Sequence, residues 1–207
     1  MQPVATVTPE EDASGSIRDL HNLILALWDH DPDSVSRISA RAAETTLVFN
    51  GVKYPKSWYE GLAARMRGDK KGAQAAFAAA RLEVEKAVVA DASDGRTLSL
   101  LAMIDAALGR QDQAVQEAEH ACTLATFENA APSAAIVRCN LAVVYAWNGQ
   151  LDLAVSTLAS LVNRPAGSNL PAQPTYGDFR RNPLWDPLRN DPRFAAIMKR
   201  LAPVAVH

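Results

Sequence analysis

LAVVYAWNGQLDLAVSTLASL, Leu141 to Leu161, is the stretch whose reading decides the fold. Leu141, Val144 and Tyr145 before Gly149, and Leu151, Ala154, Val155, Leu158 and Leu161 after it, recur at three and four spacing. That period puts them on one face of a helix. Asn148-Gly149 supplies the residue types that end a helix in a left-handed cap. The stretch therefore reads as helix, tight turn, helix. Similar patterns turn at Gly109 and Gly68, and a fainter one at His30, at spacings of 38, 41 and 40 residues.

Aligned on those turns, the patterns share a register. Val35, Ala73, Ala114 and Ala154 stand five positions after the turn, and Ser39, Phe77, Ala118 and Leu158 nine after. Ala42, Ala80, Ala121 and Leu161 stand twelve after, and Leu23, Gly61, Ala102 and Ala142 seven before. Small residues recur where two helices must approach closely. Three positions after the turn come Asp33, Lys71, Asp112 and Asp152. An acid there favours the positive end of the helix dipole and is a candidate cap. A fixed period of this kind marks a stack of repeated units.

Composition agrees. The chain has 207 residues, 48% of them apolar, which supports a sizeable core. Alanine is abundant and β-branched residues are not concentrated, favouring helix over sheet. The net charge is −2 with no basic block, which argues against nucleic-acid binding. No run of about 18 apolar residues exists, so no membrane span is expected. MQPVATVTPEEDASGS, at the start, lacks the apolar core of a secretion signal. Cys122 and Cys139 are too few for a disulfide framework, so a reduced, cytoplasmic setting is the expectation, with a bridge between antiparallel helices left open.

In order, residues 1–14 read as a disordered lead, 15–163 as helical repeats, and 164–207 as a capping tail. The second helix of the first pair carries Val35, Ile38, Ala42 and extends toward Leu47, and Phe49-Asn50-Gly51 breaks it. The next helix runs from Lys53 to Met66 with Pro55 in its first turn. Phe127 to Pro132 is a loop, and the tail is Pro-rich until Asp191-Pro192 opens a last helix bearing Phe194, Ile197, Met198 and Leu201.

Leu141, Ala142 and Tyr145, then Gly149, then Ala154, Leu158 and Leu161, together with Ala73, Phe77 and Ala80, resemble the tetratricopeptide repeat. The resemblance covers residues 15–163, with a period longer than the family's, which is about 34. It implies an all-α fold, a right-handed α-solenoid of about four helical hairpins, closed by an irregular tail and a short helix. It also implies that the first helix of each hairpin lines a concave groove. Carried over residue by residue, the wall has Leu20, Ile24, Leu27 and Trp28, then Trp58, Leu62, Arg65 and Met66. Arg96, Ser99, Met103 and Ala106, then Cys139, Asn140, Val143 and Trp147, continue it.

The implied function is protein–protein interaction through a largely apolar groove. Its candidate partner-binding residues are Trp28, Trp58, Leu62, Arg65, Met66, Arg96, Met103, Cys139, Asn140, Val143 and Trp147. The partner is a protein or peptide, or the chain's own tail, with Tyr176, Phe179, Leu184, Trp185 and Leu188 as its natural occupants. NPLWDPLRNDPRF resembles the closing segment of bacterial tetratricopeptide signalling chains, so a regulatory region of a kinase, cyclase or transcription regulator is an alternative. A small-molecule or lipid-binding helical protein is another.

Chemistry is not expected. Asp29, Asp31 and Asp33 alternate like a calcium loop, but Ser34 and Ala40 stand where that loop needs Gly and Glu. His21, His30, His120 and His207 make no metal-ligand spacing. Neither a nucleophile elbow nor a phosphate-cradling Gly-rich loop occurs. No catalytic residue, metal or cofactor is expected.

Overall fold

The computed structural model describes residues 9–42, 46–49, 52–127, 131–162 and 175–203, with the side chains of 9–16, 49, 126–127 and 131–133 excepted. Helices α1 (Pro9–Trp28) and α2 (Pro32–Arg41) come first. A two-stranded antiparallel pair follows, β1 (Thr46–Phe49) and β2 (Val52–Pro55). Then come α3 (Lys56–Met66), α4 (Lys70–Ala90), α5 (Gly95–Ala107), α6 (Gln111–Phe127), α7 (Ala131–Trp147) and α8 (Leu151–Leu161). Two short helices, α9 (Tyr176–Arg181) and α10 (Pro192–Leu201), flank a 3-10 helix at Pro183–Leu188. The protein is thus mostly helical.

The turns after α1, α3, α5 and α7 share one geometry. His30, Gly68, Gly109 and Gly149 all adopt positive φ, between 52° and 78°. In each, the left-handed residue donates to a carbonyl three back, and the next residue donates to one five back, as Asp69 N–H does to Ala64 O at 2.9 Å. This pair of bonds satisfies carbonyls that the helix end leaves free. Three of the turns use glycine because φ near +75° puts a Cβ against its own carbonyl.

Burial follows the aligned register. Val35, Ala114, Ala154, Ser39, Phe77, Ala118, Leu158, Ala42, Ala80, Ala121, Leu161, Leu23, Ala102 and Ala142 are buried, and Ala73 is partly so. Gly61 has a direct reason to be small: a Cβ there would lie 2.6 Å from the Phe77 ring. Each helix from α1 to α8 packs on the next, across the strand pair between α2 and α3, and α5 also packs on α7.

Four sequence expectations need correction. First, the fold is helical as expected, but Leu47 ends no helix and lies in β1, and Lys53 to Pro55 belong to β2, so α3 begins at Lys56. Leu47, Val52 and Tyr54 are buried while Val48 and Lys53 are exposed. That two-residue alternation is a strand signal, too short to stand out beside the helical runs. Second, α1 starts at Pro9, inside the expected lead, with Pro at its first position where the missing N–H is harmless. Third, the side-chain caps of α2 and α4 sit one residue after the turn, while Asp33, Asp112 and Asp152 lie in the first turns of α2, α6 and α8, as expected. Asp31 accepts from Ser34 N–H at 3.0 Å and Asp69 from Gly72 N–H at 2.9 Å. Asp33 and Asp152 instead pair with Arg67 and Arg193. Fourth, the tail holds α9 and the 3-10 helix besides the expected last helix. Residues 1–8, the break at Asn50-Gly51, the middle of the 127–132 loop and the Pro-rich start of the tail lie outside the described residues.

One buried charge cluster joins α4, α5 and α6. The fully buried Asp105 accepts from Arg81 Nε at 2.8 Å and stands 3.6 Å from Arg110 Nη1. Arg81 also pairs with Glu85 at 2.8 Å. Glu117 accepts from Gln113 at 2.9 Å, while its other oxygen and Asp105 Oδ2 have no partner among the described residues. Protonation of Glu117 gives its carboxyl a hydrogen to donate to Asp105. Burial pushes Glu117 up to about 7, against the Gln113 hydrogen bond and helped by the Asp105 charge. An unfolded Glu titrates near about 4.3, so the folded chain holds the extra proton between those values. The associated stability is present below that interval and is lost as pH rises through about 7. The melting temperature of the native protein should therefore fall between pH 5 and 8 relative to Glu117→Gln, whose amide donates at every pH. Parallel profiles would count against a shared proton.

Candidate functional site

The wall built by α1, α3 and α7 is aromatic at its centre. Trp58 and Phe77 are buried, Trp147 is partly exposed, and their ring centroids lie 5.6 Å (Trp58–Phe77), 6.2 Å (Trp58–Trp147) and 6.4 Å (Phe77–Trp147) apart. Trp58 and Trp147 are stacked at 23°. This arrangement follows from sequence position: Trp58 lies on the first helix of one hairpin, Trp147 on that of another, and Phe77 fills the notch that Gly61 leaves.

The tail lies on this wall as a strap. Trp147 Nε1 donates to Leu184 O at 3.0 Å. Leu184 and Asn182 enclose, with Ile24, Leu27, Trp28, Trp58, Tyr59 and Leu62, a residual space of only about 10 Å³. Gly177 lies against the Trp28 ring. Helix α9 packs on α1, the 3-10 helix on α7 and α8, and α10 on α8 and α9. Ion pairs tie the strap at both ends of the array: Arg181 with Asp29, Asp186 with His30 at 3.5 Å, and Arg193 with Asp152 at 2.7 Å. All three are exposed, so each contributes little and the charged pairs weaken with salt.

The strap has its own core. Phe179, Trp185 and Phe194 pack at 5.1 to 6.4 Å between centroids. The buried Asp178 carboxylate accepts from Trp185 Nε1 at 2.7 Å and Asn182 Nδ2 at 2.8 Å. Arg189 donates to the carbonyls of Phe179, Arg180 and Asn182, which end α9. The segment is thus held by contacts of its own as well as by those to the wall.

The expected groove residues separate into three groups. Trp28, Trp58, Leu62 and Trp147 do lie together, under the strap. Met103, Cys139, Asn140 and Val143 are buried and open to no partner, because α5 and α7 pack directly on each other. Asn140 donates to Ser99 Oγ at 2.9 Å across that contact. Arg96 turns away, its Nε on the α5 cap Asp94 at 3.2 Å, with its charge acting on Tyr54 of β2. Met66 is partly buried against the core. Of the expected occupants, Phe179, Leu184, Trp185 and Leu188 are buried and Tyr176 is partly exposed.

Arg65 is the exposed member of the set. Its Cζ lies 4.0 Å from the Trp147 ring centroid, a cation–π geometry. It stands at the edge of an open cleft of about 380 Å³ lined by Gly68, Lys70, Ala73, Gln74, Phe77 and Ala107. Sequence reasoning missed Lys70, Gln74 and Ala107, which are brought to Arg65 only by the packing of α4 against α3 and α5. Phe77 was legible as a packing position, but not as the cleft's apolar floor.

Cys122 and Cys139 are free thiols. Burial pushes both up, Cys139 well above the ordinary range, which suppresses thiolate chemistry. Among the described residues no helix is long and apolar enough to cross a membrane, and no group of three His, Cys, Asp or Glu is placed to hold a metal ion. Comparison of the chain with family models, with curated proteins and with solved structures found no match.

Proposed function

We propose that this chain is a protein-interaction module of tetratricopeptide type, a right-handed solenoid of about four hairpins whose concave wall seats a short aromatic segment. The observation that carries this reading is the strap itself. A segment of the chain already uses the wall as a peptide would, through the Trp147–Leu184 hydrogen bond and the burial of Leu184 beside Trp28, Trp58 and Leu62. Apolar anchors seated in a hydrophobic groove are how helical proteins hold peptide segments. The residual 10 Å³ under the strap is too small for a lipid or cofactor, which weighs against a ligand-binding bundle at this wall.

A covalently attached occupant has an effective concentration in about the millimolar range, so an outside peptide competes only once the strap is loosened. The test is a labelled peptide of residues 175–201 added to the full chain carrying Leu184→Glu. Binding to that variant should be at least about tenfold tighter than to the native chain, with helicity unchanged by circular dichroism. Equal, negligible binding to both, with the variant folded, would remove the proposal.

A further inference from the structure

We propose that the cleft between α3, α4 and α5 binds an acidic side chain flanked by an apolar residue in a partner peptide, with Arg65 as the residue that receives the carboxylate. The proposal rests on the reading of this chain as a protein-interaction module and names the chemistry of its partner. The Arg65 side chain makes no hydrogen bond or ion pair with any described residue; what holds it is the Trp147 ring. The contrast with neighbouring arginines is direct. Arg67 is bound to Asp33, Arg81 to Asp105 and Glu85, Arg189 to Asp186, and Arg193 to Asp152 and Asp191.

The acid whose charge reaches Arg65 is Asp186, but its Oδ1 already serves Arg189 at 3.2 Å and His30 at 3.5 Å. The ring of Trp147 holds the guanidinium in place without using its N–H donors, since the attraction is to the ring face. Five donors in a planar fork therefore stand pre-oriented at the cleft, which is the geometry that a carboxylate accepts bidentately. Lys70 and Gln74 stand on the cleft as further donors, and Lys70 likewise has no ion pair with a described residue.

The rest of the lining selects the ligand. Ala73 and Ala107, partly exposed over the buried Phe77 ring, give an apolar surface beside the cation, which a bare carboxylate ion leaves wet. An acidic residue next to Leu or Phe fills both parts, and about 380 Å³ lies in the range of small-ligand sites. A phosphate dianion calls for a denser set of donors than one arginine, one lysine and one amide.

The test uses the full ¹⁵N-labelled chain and the tripeptide Leu-Glu-Leu, acetylated and amidated so that the side chain is its only charge. Saturable shifts are expected at the Arg65 Nε–H and the Trp147 indole N–H. Affinity should exceed that of the Leu-Gln-Leu counterpart by at least about tenfold. Arg65→Leu should abolish the difference, and Lys70→Glu, at an exposed helix start, should reduce it without touching the core. Equal binding of the two peptides, response to inorganic phosphate alone, or unchanged affinity in Arg65→Leu would overturn the proposal. Binding of peptide 175–201 to the Leu184→Glu chain together with no response to Leu-Glu-Leu would leave the covered wall standing and remove the cleft's role. The reverse outcome would keep the cleft and remove the wall's.

Discussion

Phe77→Ala should lower the free energy of unfolding by about 3–5 kcal/mol. The ring is almost fully buried and holds three helices in one contact. It fills the space over Gly61 of α3, packs tilted against Trp58 of α3 at 5.6 Å, and reaches Trp147 of α7 at 6.4 Å. Its loss leaves a void that cannot collapse without moving α3 against α4, because Gly61 offers no side chain to fill it. The aromatic pairs add about 0.5–1.5 kcal/mol beyond area. In a chain of this size each kcal/mol moves the melting temperature by about 2–4 °C, so a drop on the order of 10 °C is expected. Urea unfolding of the two proteins measures it directly, and a loss below about 1 kcal/mol would mean that the Gly61–Phe77 contact is not a close-packed one. Because Phe77 also floors the Arg65 cleft, its effect on peptide binding has to be read from the folded fraction only.

Asp105→Ala should cost about 3 kcal/mol or more. The substitution removes a fully buried carboxylate that holds Arg81 at 2.8 Å. Arg81 then keeps Glu85 as its remaining carboxylate partner among the described residues, and Glu85 is itself partly exposed. An arginine left mostly buried with half its partners gone is costlier than no charge at all. The double variant Asp105→Leu with Arg81→Met should therefore recover most of the loss. A double variant as unstable as the sum of the single ones would show that the pair is packing and not electrostatics. The same change offers an internal check: without the Asp105 charge, the Glu117 carboxyl should titrate lower, and the fall in stability between pH 5 and 8 should shrink.

These two sites mark how far the sequence alone could be read. Phe77 and Gly61 stood in the aligned register as a large and a small residue, and their contact is where that register places them. Asp105, Arg81 and Glu117 carry no local signal. They lie on three different helices, and only their packing brings the charges together. The strand pair was hidden for a different reason. Four-residue strands alternate for too few positions to outweigh the helical pattern on either side.

The candidate site divides along the same line. Its wall residues Trp58, Leu62 and Trp147 were legible from their place on the first helices, whereas Met103, Cys139, Asn140 and Val143 were misplaced. A helix that is apolar on most of its circumference has no face that periodicity can assign to a groove instead of a neighbour. Helices α5 and α7 are of that kind, and each is buried against the other.

Helix, turn and the small or large character of each packing position were determined by the sequence, because those depend on residues a few positions apart. The four left-handed turns at His30, Gly68, Gly109 and Gly149 are its plainest product. Tertiary structure alone decided which surface is covered and which charge lacks a partner. The strap reaches from Asp29 and His30 to Asp152, joining residues as many as 156 positions apart. Among the described residues the Arg65 guanidinium has no ion pair, and Asp186, the acid whose charge reaches it, already serves Arg189 and His30. Such pairings depend on distances across the folded array, and no periodicity along the chain encodes them.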